Sequence, residues 1–299
     1  FGVALGEKDS KLILRRGKAV EVLRTLIDET GADTVYWSRL YDPDAKARDE
    51  KVKASLKEDG VNAKSFGGHL MFEPWSVETK GGGYYKVYTP FWKSVRDRGV
   101  EEPLRAPQKI PAPDRWPASE DLADWSMGAG MDRGAEVVRP HVQLGEDAAR
   151  GRLDRFTDGA IADYAKTRDL PAEDGTSRLS ENLSLGEISP HRCWHAAIRA
   201  REEGKKGAET FLKELVWREF AYHLMHHAPR LTSGNWREEW DAFPWNEDER
   251  LAEVKAWKKG LTGVPFVDAG MRELYASGRM HNRVRMVVAS YLTKHLMCH

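Results

Sequence analysis

A single helical segment restricts the possible folds of this chain more than any other part of it. The segment covers residues 211–224 and reads FLKELVWREFAYHL. Its apolar side chains recur every three or four positions, so one broad face of the helix must be buried. The residues of that face are Phe211, Leu212, Leu215, Val216, Phe220 and Leu224.

Three further residues of the segment form a polar and aromatic patch. Glu214, Trp217 and Arg218 stand at positions i, i+3 and i+4, where the side chains of a helix are neighbours. One interpretation is a surface ion pair between Glu214 and Arg218 beside a half-buried indole. The other is a patch that stacks on a flat ring and hydrogen-bonds its edge. The spacing alone favours the ion pair, and the other motifs of the chain reverse that preference.

The composition excludes some classes of protein and leaves nucleic-acid binding open. A length of 299 residues allows about two domains. Lysine plus arginine equal aspartate plus glutamate at 47 each, so any contact with DNA requires a local basic patch. No stretch approaches the roughly 18 apolar residues of a membrane span. The 11 tryptophans are numerous, and indoles can relay electrons and stack on bases as well as pack.

The cysteine content points to a reducing compartment. Cys193 and Cys298 are the 2 cysteines, too few for a disulfide framework or a four-thiolate metal site. We therefore expect a cytoplasmic protein without a metal site.

The first 94 residues have the pattern of an α/β domain. Residues 12–14, 34–37 and 61–66 are strand candidates, and residues 34–37 are predicted to be buried. Helical patterns at residues 20–31 and 44–57 separate them. Strands that alternate with helices predict βαβ units and a parallel sheet. The run of glycines at 81–83 lacks the spacing of a dinucleotide fingerprint and predicts a turn.

The pattern changes twice beyond that domain. Five prolines among charged residues, at positions 103, 107, 111, 113 and 117, predict a long linker over residues 95–150. From residue 151 to 299 the helical period dominates and strand signals disappear. The chain opens without an initiator methionine and closes inside an apolar helical pattern without a capping glycine. We therefore expect an incomplete α/β domain, a linker, and an incomplete helical domain.

Two motifs in the helical part are suited to binding. Residues 175–180, GTSRLS, combine three hydroxyls, an arginine and backbone N–H groups before a predicted helix start. Such a segment can hold a pyrophosphate, or it can be a helix cap with a surface arginine. Residues 278–290, GRMHNRVRMVVAS, place Asn282, Arg285 and Met286 on one helix face. Their neighbours Val287 and Val288 are predicted to be buried.

Several segments together resemble the photolyase/cryptochrome family, in particular its branch that repairs cyclobutane pyrimidine dimers. The motifs appear in order along nearly the whole chain. They are LILRRG at 12–17, YDPDAKARD at 41–49, YKVYTPFW at 85–92, DGTSRLS at 174–180, WREF at 217–220, KAWKKGLTGVPFVDAGMREL at 255–274 and MHNRVRM at 280–286. The resemblance implies a Rossmann-like parallel-sheet antenna domain followed by a helical FAD-binding domain.

The resemblance also implies roles for individual residues. The family's FAD phosphates and ribityl chain correspond to the segment Thr176, Ser177, Arg178, Leu179 and Ser180, with Tyr164, Phe211 and Arg285 around the same cofactor. The lesion pocket corresponds to Glu214, Trp217, Asn282 and Met286, of which Trp217 would stack on a flipped ring. DNA contacts correspond to Arg168, Arg218 and Arg283, and Trp245 to the solvent end of a tryptophan relay.

The implied activity is light-driven dimer repair in UV-damaged DNA, by a monomer without membrane contact. An antenna chromophore is also implied. Methenyltetrahydrofolate is one candidate, although Gly83 stands near the position where some relatives carry a folate-binding acid. Two other functions are a cryptochrome light sensor that signals to proteins and a non-catalytic helical module that binds nucleic acid. Glu214, Trp217 and Met286 together favour repair.

Overall fold

The computed structural model describes residues 1–246 and 250–298, which divide into two compact units. The first unit comprises Phe1–Ser126, Ser180–Ile198 and Leu212–Ser233. The second comprises Met127–Leu179, Arg199–Phe211 and Gly234–His299. Each unit is thus assembled from segments that are distant in sequence.

The first unit contains a small parallel sheet and most of the longer helices. The sheet pairs β1 (Thr34–Ser38) with β2 (Asn62–Phe66), and Thr34 stands opposite Asn62. The helices that begin in this unit are α1 (Gly2–Gly6), α2 (Ala19–Thr30), α3 (Pro43–Glu58), α4 (Tyr88–Val95), α8 (Ser180–Ser184) and α9 (Pro190–Glu202). The helix α10 (Ala208–His227) begins in the second unit and continues here from Leu212.

Local signals explain where α2 ends and where α3 begins. Gly31 ends α2 in the left-handed conformation, with a φ angle of 67°. Asp42 caps α3 by accepting a hydrogen bond from the backbone N–H of Ala45 at 2.8 Å. The side chains of Val52 and Leu56 are buried on one face of α3. The two helices and two strands predicted for residues 20–66 are confirmed.

Two expectations for this region are wrong. Residues 12–14 form no strand, because the backbone of Leu14 bonds to the loop at Ser119 and Glu120 instead of to β1. The strand β1 is not buried on both faces, since Tyr36 is 64% exposed. Composition predicted the strand correctly, but it did not indicate that one face of the sheet is open.

The described part of the second unit contains helices joined by loops and one isolated β-bridge, between Asn246 and Cys298. Its helices are α5 (Gly134–Val138), α6 (Glu146–Asp158), α7 (Tyr164–Thr167), α11 (Ala252–Lys258), α12 (Pro265–Ser277) and α13 (Asn282–Ser290), followed by a π-helical turn at Tyr291–His295. Short 3₁₀ helices connect several of them. The region predicted as a linker, residues 95–150, thus contains α5 and the start of α6.

Close packing of α12 on α13 fixes one part of this unit. Val267, Met271, Val284 and Val288 form a buried apolar cluster. A Cβ atom at Gly270 would lie 2.3 Å from Cγ1 of Val284, so the approach of the two helices requires glycine there. Trp257 packs on the cluster, and its indole N–H donates to the Val288 carbonyl at 3.1 Å.

The fold class predicted from the sequence is confirmed, with a small parallel sheet in the N-terminal part and a helical remainder. The predicted boundary near residue 150 stays a prediction. None of the helices in the described part of the chain combines the length and the apolar content that crossing a bilayer demands.

Candidate functional site

The outer face of α10 presents an aromatic ring that is supported from one side. Trp217 is 45% exposed, although it lies in the middle of a helix with buried neighbours. The phenol ring of Tyr88 stacks on its indole with centroids 3.7 Å apart and planes inclined by 6°. The hydroxyl of Tyr88 donates to the Lys213 carbonyl at 2.7 Å. Trp217 is therefore a fixed, accessible platform, as its predicted stacking role requires.

Arg218 points the other way, into the first unit. Its Nη1 donates to the carbonyl of His69 at 2.7 Å, and its Nη2 donates to Nε2 of the same residue at 2.8 Å. Its guanidinium also lies 5.0 Å from the ring centre of Tyr222. These contacts leave only 18% of the side chain exposed. The structure thus gives Arg218 an internal role, and its predicted contact with DNA stays a prediction.

The neighbouring Glu219 is a buried carboxylate that the sequence reasoning missed. It is 2% exposed, and its Oε2 accepts hydrogen bonds from the backbone N–H groups of Met71 and Phe72 at 2.9 and 3.0 Å. Burial raises its pKa to about 7. A signal existed in the sequence, since Glu219 falls on the helix face that also carries Leu215 and Val216.

His223, one turn further along, continues this inward set. Its Nε2 accepts from the backbone N–H of Tyr85 at 3.1 Å, and its Nδ1 donates to the carbonyl of Pro74 at 3.3 Å. Burial lowers its pKa to about 4, which keeps the ring neutral. The inner face of α10 thereby binds the loop between β2 and α4, while the outer face is left for Trp217.

The hydroxyl-rich segment at residues 175–180 adopts a constrained turn immediately before α8. A Cβ atom at Gly175 would lie 2.5 Å from Cβ of Thr167, so the turn requires glycine. Arg178 has a φ angle of 50°, in the left-handed region, and its carbonyl accepts from Nη1 of the buried Arg152 at 3.0 Å. Its guanidinium pairs with Asp174 at 2.9 Å.

The same turn contains partly accessible donors and one buried anchor. Leu179 is fully buried, whereas Thr176 and Ser177 are partly buried and Ser180 is exposed at the start of α8. A left-handed residue between other backbone N–H groups is a geometry that can bind anions. The chemistry and the tight turn therefore fit the phosphates of a dinucleotide such as FAD.

Two aromatic residues assigned to the cofactor meet in the core of the second unit. The rings of Tyr164 and Phe211 are 5.7 Å apart and nearly perpendicular, and both contact Phe156. Each is less than a tenth exposed. The three rings pack on one another in one cluster, and the contact of Tyr164 and Phe211 with a flavin stays a prediction.

The helix α13 keeps its predicted binding face accessible. Asn282, Arg285 and Met286 are exposed, while Val284 and Val288 are buried against α12. Val287 is 43% exposed, so the expectation that it is buried is wrong. Val287 stands three residues after Val284, at the edge of the buried face, and it is not part of the apolar cluster that α12 forms with Val284 and Val288.

One end of α13 also shows an unusual histidine. Nδ1 of His281 caps the helix by accepting from the backbone N–H of Arg283 at 3.2 Å. Its Nε2 is buried and has no hydrogen-bond partner among the described residues. Arg283 itself, with Arg168, pairs with the carboxylate of Asp169. The two arginines predicted to hold DNA phosphates are thus brought together.

Trp245 belongs to a short run of aromatic residues. Its indole N–H donates to the carbonyl of Trp240 at 2.8 Å, and its ring lies 4.5 Å from that of Phe243. Trp240 is 52% exposed. The position of Trp245 next to an exposed indole is compatible with its predicted place at the solvent end of an electron relay.

A separate cavity of about 180 Å³ lies in the first unit beside the parallel sheet. Two tryptophans and several charged side chains line it. The lining residues are Trp37, Arg39, Leu40, Tyr41, Lys46, Asp49, Glu50, Lys53, Ser65, Trp75 and His226. Arg39 lies 5.2 Å from the ring centre of Trp75, and Lys53 lies 5.8 Å from that of Trp37. The cavity is therefore aromatic and lined by charges of both signs, with three cationic side chains and the carboxylates of Asp49 and Glu50.

The residues assigned to the lesion pocket fall into two pairs. Glu214 and Trp217 lie in the first unit, three residues apart on α10, and Glu214 is partly buried. Asn282 and Met286 lie in the second unit, four residues apart on α13. Within each pair, helical geometry brings the two side chains to one face.

Comparison with known proteins yields two family models. Residues 2–113 match the model described as DNA photolyase, and residues 211–299 match the model described as FAD binding domain of DNA photolyase. The second match contains α13 and the part of α10 from Phe211 onward, the two helices that carry the predicted lesion pocket.

Relatives and solved structures agree with these matches. A deoxyribodipyrimidine photo-lyase of Agrobacterium fabrum is 46% identical over 98% of this chain and 61% of the relative. Cryptochrome-2 of Arabidopsis thaliana is 32% identical over 95% of this chain and 48% of the relative. A bacterial class III photolyase from Agrobacterium tumefaciens superimposes with a TM-score of 0.95 at 44% identity, over 100% of this chain and 62% of that structure. The chain thus spans about three fifths of the photolyases that it matches.

Proposed function

Because the chain belongs to the DNA photolyase and cryptochrome family, we propose that the protein repairs cyclobutane pyrimidine dimers in DNA with light. The relatives named deoxyribodipyrimidine photo-lyase support repair over signalling. The substrate is then UV-damaged DNA, and the protein acts as a monomer in the cytoplasm.

The observation that supports this function most is the indole of Trp217, which is exposed and stacked on one side by Tyr88. An exposed tryptophan in a helix interior has no packing reason to stay accessible, whereas a flipped base needs an aromatic surface on which to stack. Glu214 lies one turn before Trp217 on α10 and can hydrogen-bond the edge of a ring stacked there. On α13, Asn282 and Met286 offer an amide and a soft apolar side chain, which also suit contact with a base.

The flavin requires a phosphate site and a wall against which its ring system can lie. Thr176, Ser177 and the backbone of the turn at Arg178 would hold the phosphates, with Ser180 at the start of α8. Tyr164, Phe211, Leu179 and Arg285 would contact the rest of the cofactor. When bound in its reduced form, FAD supplies the photoexcited electron that opens the cyclobutane ring. The protein residues bind, orient and exclude water, and no general base is required.

DNA binding would combine phosphate contacts with capture of the lesion. Arg168 and Arg283 carry the positive charge for backbone phosphates. The dimer stacks poorly within the duplex, so its extrusion costs less than that of a normal base pair. Selectivity then comes from Glu214 and Trp217, and affinity for any DNA comes from the arginines.

The cavity in the first unit suits an antenna chromophore such as methenyltetrahydrofolate. Trp37 and Trp75 offer ring surfaces to a pterin, and Lys46, Lys53 and Arg39 offer cations to its glutamate carboxylates. Gly83 is not among the lining residues, so this assignment is independent of the acid that some relatives carry near that position.

Illumination of the flavin-loaded protein with an oligonucleotide that contains one dimer tests the proposal. Loss of the dimer under blue or near-UV light, and none in the dark, is expected. Glu214→Gln should slow this loss far more than it lowers the FAD content. Glu209→Gln is the matched control on the same helix, since Glu209 pairs with Arg201 and has no assigned role.

The alternative function is a cryptochrome light sensor, favoured by the 32% identity to a plant cryptochrome. It predicts that light reduces the flavin while the amount of dimer stays constant. A helical module without flavin would show neither response. The illumination experiment therefore separates all three functions.

A further inference from the structure

The stacking of Tyr88 on Trp217 goes beyond ordinary core packing. The two rings are almost parallel, at 6°, and their centroids are only 3.7 Å apart. Aromatic pairs in proteins usually adopt offset or edge-to-face arrangements with larger separations. One face of the indole is therefore covered by a ring in direct contact, while 45% of the residue remains exposed.

The phenol is itself held in place by two contacts. Its hydroxyl donates to the carbonyl of Lys213 at 2.7 Å. In an α-helix the carbonyl of Lys213 also accepts the backbone N–H of Trp217, four residues later. The ring of Phe220 makes T-shaped contacts with both rings, and its plane is inclined by 71° to that of Tyr88 and by 74° to that of Trp217. Tyr88 is thus fixed to the same turn of α10 that carries the tryptophan.

From this geometry we propose that Tyr88 is a positioning residue for lesion recognition, which rests on the lesion-stacking role proposed for Trp217. Tyr88 blocks one face of the indole and sets the inclination of the ring, so that only the opposite face receives a flipped pyrimidine. The support comes from α4, an element of the N-terminal part of the chain, although the stacking residue lies on α10. Nothing in the reaction itself requires Tyr88 to touch the substrate.

Two substitutions separate the ring from the hydroxyl. Tyr88→Leu removes the stack and keeps an apolar side chain of similar bulk. Tyr88→Phe keeps the stack and loses only the hydrogen bond to Lys213. Tyr84→Leu is a matched control, because Tyr84 makes a comparable parallel stack, 4.9 Å and 6°, on His227 in the same unit.

The measurements are dissociation constants for an oligonucleotide with one dimer and for the same sequence undamaged. Tyr88→Leu should weaken binding of the dimer about tenfold and leave binding of undamaged DNA unchanged. Tyr88→Phe and Tyr84→Leu should bind both oligonucleotides as the parent does. Equal weakening for both oligonucleotides, or no weakening in Tyr88→Leu, overturns the proposal.

A second measurement does not depend on the substrate. In protein labelled with 5-fluorotryptophan, the ¹⁹F resonance of Trp217 is assigned by its loss in Trp217→Phe. Tyr88→Leu should shift and broaden that resonance, and Tyr88→Phe should leave it sharp. An unaltered resonance in Tyr88→Leu means that Tyr88 does not hold the ring. If the parent protein binds the dimer oligonucleotide no more tightly than the undamaged one, the proposed repair function is wrong. The ¹⁹F resonance of Trp217 would still show whether Tyr88 holds the indole in place.

Discussion

Arg283 and Asp169 are joined by a hydrogen bond across 114 residues of sequence, from Nε of the arginine to Oδ1 of the aspartate at 2.7 Å. Nε of Arg168 lies 3.4 Å from the same oxygen. The hydrogen bond from Arg283 is the main reason why the pKa of Asp169 lies below its ordinary value. One ionised carboxylate therefore holds two guanidinium groups side by side.

Removal of one of these guanidinium groups should change the salt dependence of DNA binding. We expect Arg283→Ala to weaken binding of damaged and undamaged duplex alike, and to reduce the slope of log K against log salt by about 1. Lys109→Ala, which removes an exposed lysine paired with Asp9, is the control and should keep the slope. Titrations at several salt concentrations measure the slope. A slope equal to that of the parent would remove Arg283 from the DNA-binding residues.

The buried carboxylate of Glu219 should make stability depend on pH. Its pKa is about 7 in the folded chain and 4.5 when unperturbed, so the folded state binds more protons between these values. Its contribution to the unfolding free energy must therefore fall as pH rises from about 4.5 to about 7, by on the order of 3 kcal/mol.

Denaturant unfolding of a Glu219→Gln variant tests this sign. Glutamine does not titrate and its carbonyl can still accept from Met71 and Phe72, so we expect the variant to gain stability over the parent as pH rises. Glu58→Gln, at an exposed position at the end of α3, should show the same pH dependence of the unfolding free energy as the parent. If the difference in unfolding free energy between Glu219→Gln and the parent stayed constant from pH 5 to 8, Glu219 would not titrate with a raised pKa in the folded protein.

Trp245→Phe should slow light-driven reduction of the bound flavin severalfold without lowering the FAD content. The reason is that phenylalanine is much harder to oxidise than tryptophan, while its size keeps the contact with Phe243. Flash photolysis of the flavin-loaded protein measures the rate. Trp236→Phe, in the same segment and 36% exposed, serves as the control. Equal rates in all three proteins would place the relay elsewhere.

Gly270→Ala should destabilise the packing of α12 on α13. The added Cβ would lie 2.3 Å from Val284 and 3.2 Å from Val288, so we expect a loss of about 1–3 kcal/mol in the unfolding free energy. The second substitution Val284→Ala should restore part of this loss by making room. Gly6→Ala, at a helical glycine with open space around it, should cause no loss. Thermal unfolding of the parent, Gly270→Ala, Gly270→Ala with Val284→Ala, and Gly6→Ala measures these effects. A midpoint temperature for Gly270→Ala equal to that of the parent would show that the two helices can move apart at no cost.

Much of the fold follows from local sequence patterns. The helix α3 carries its own start signal in Asp42 and Pro43, and its apolar positions at Val52 and Leu56 mark the buried face. The strand β1 is recognisable because Thr34, Val35, Tyr36 and Trp37 are β-branched or aromatic. In β2 (Asn62–Phe66) only Phe66 belongs to these classes, so its composition is a weaker signal. In the candidate site, the spacing of Glu214 and Trp217 on a helix was sufficient to place them together.

The remainder depended on contacts between distant segments. The partners of Arg218 and Glu219 lie in the loop around His69 to Phe72, about 148 residues away, and no local pattern indicates such pairings. The same holds for the stack of Tyr88 on Trp217. Residues 12–14 failed as a strand for a related reason, since an apolar triplet is compatible with a strand or with a loop that packs on a partner.

The division of α10 into an outward and an inward side bears on how the protein can be altered. Trp217 and Glu214 can be varied without loss of the hydrogen bonds to the loop between β2 and α4. Those hydrogen bonds are made by Arg218, Glu219 and His223. Under the proposed function, libraries that aim at other damaged bases should randomise the outward positions together with Tyr88 and hold the inward ones constant. Recognition and folding would then be separate design variables on one helix.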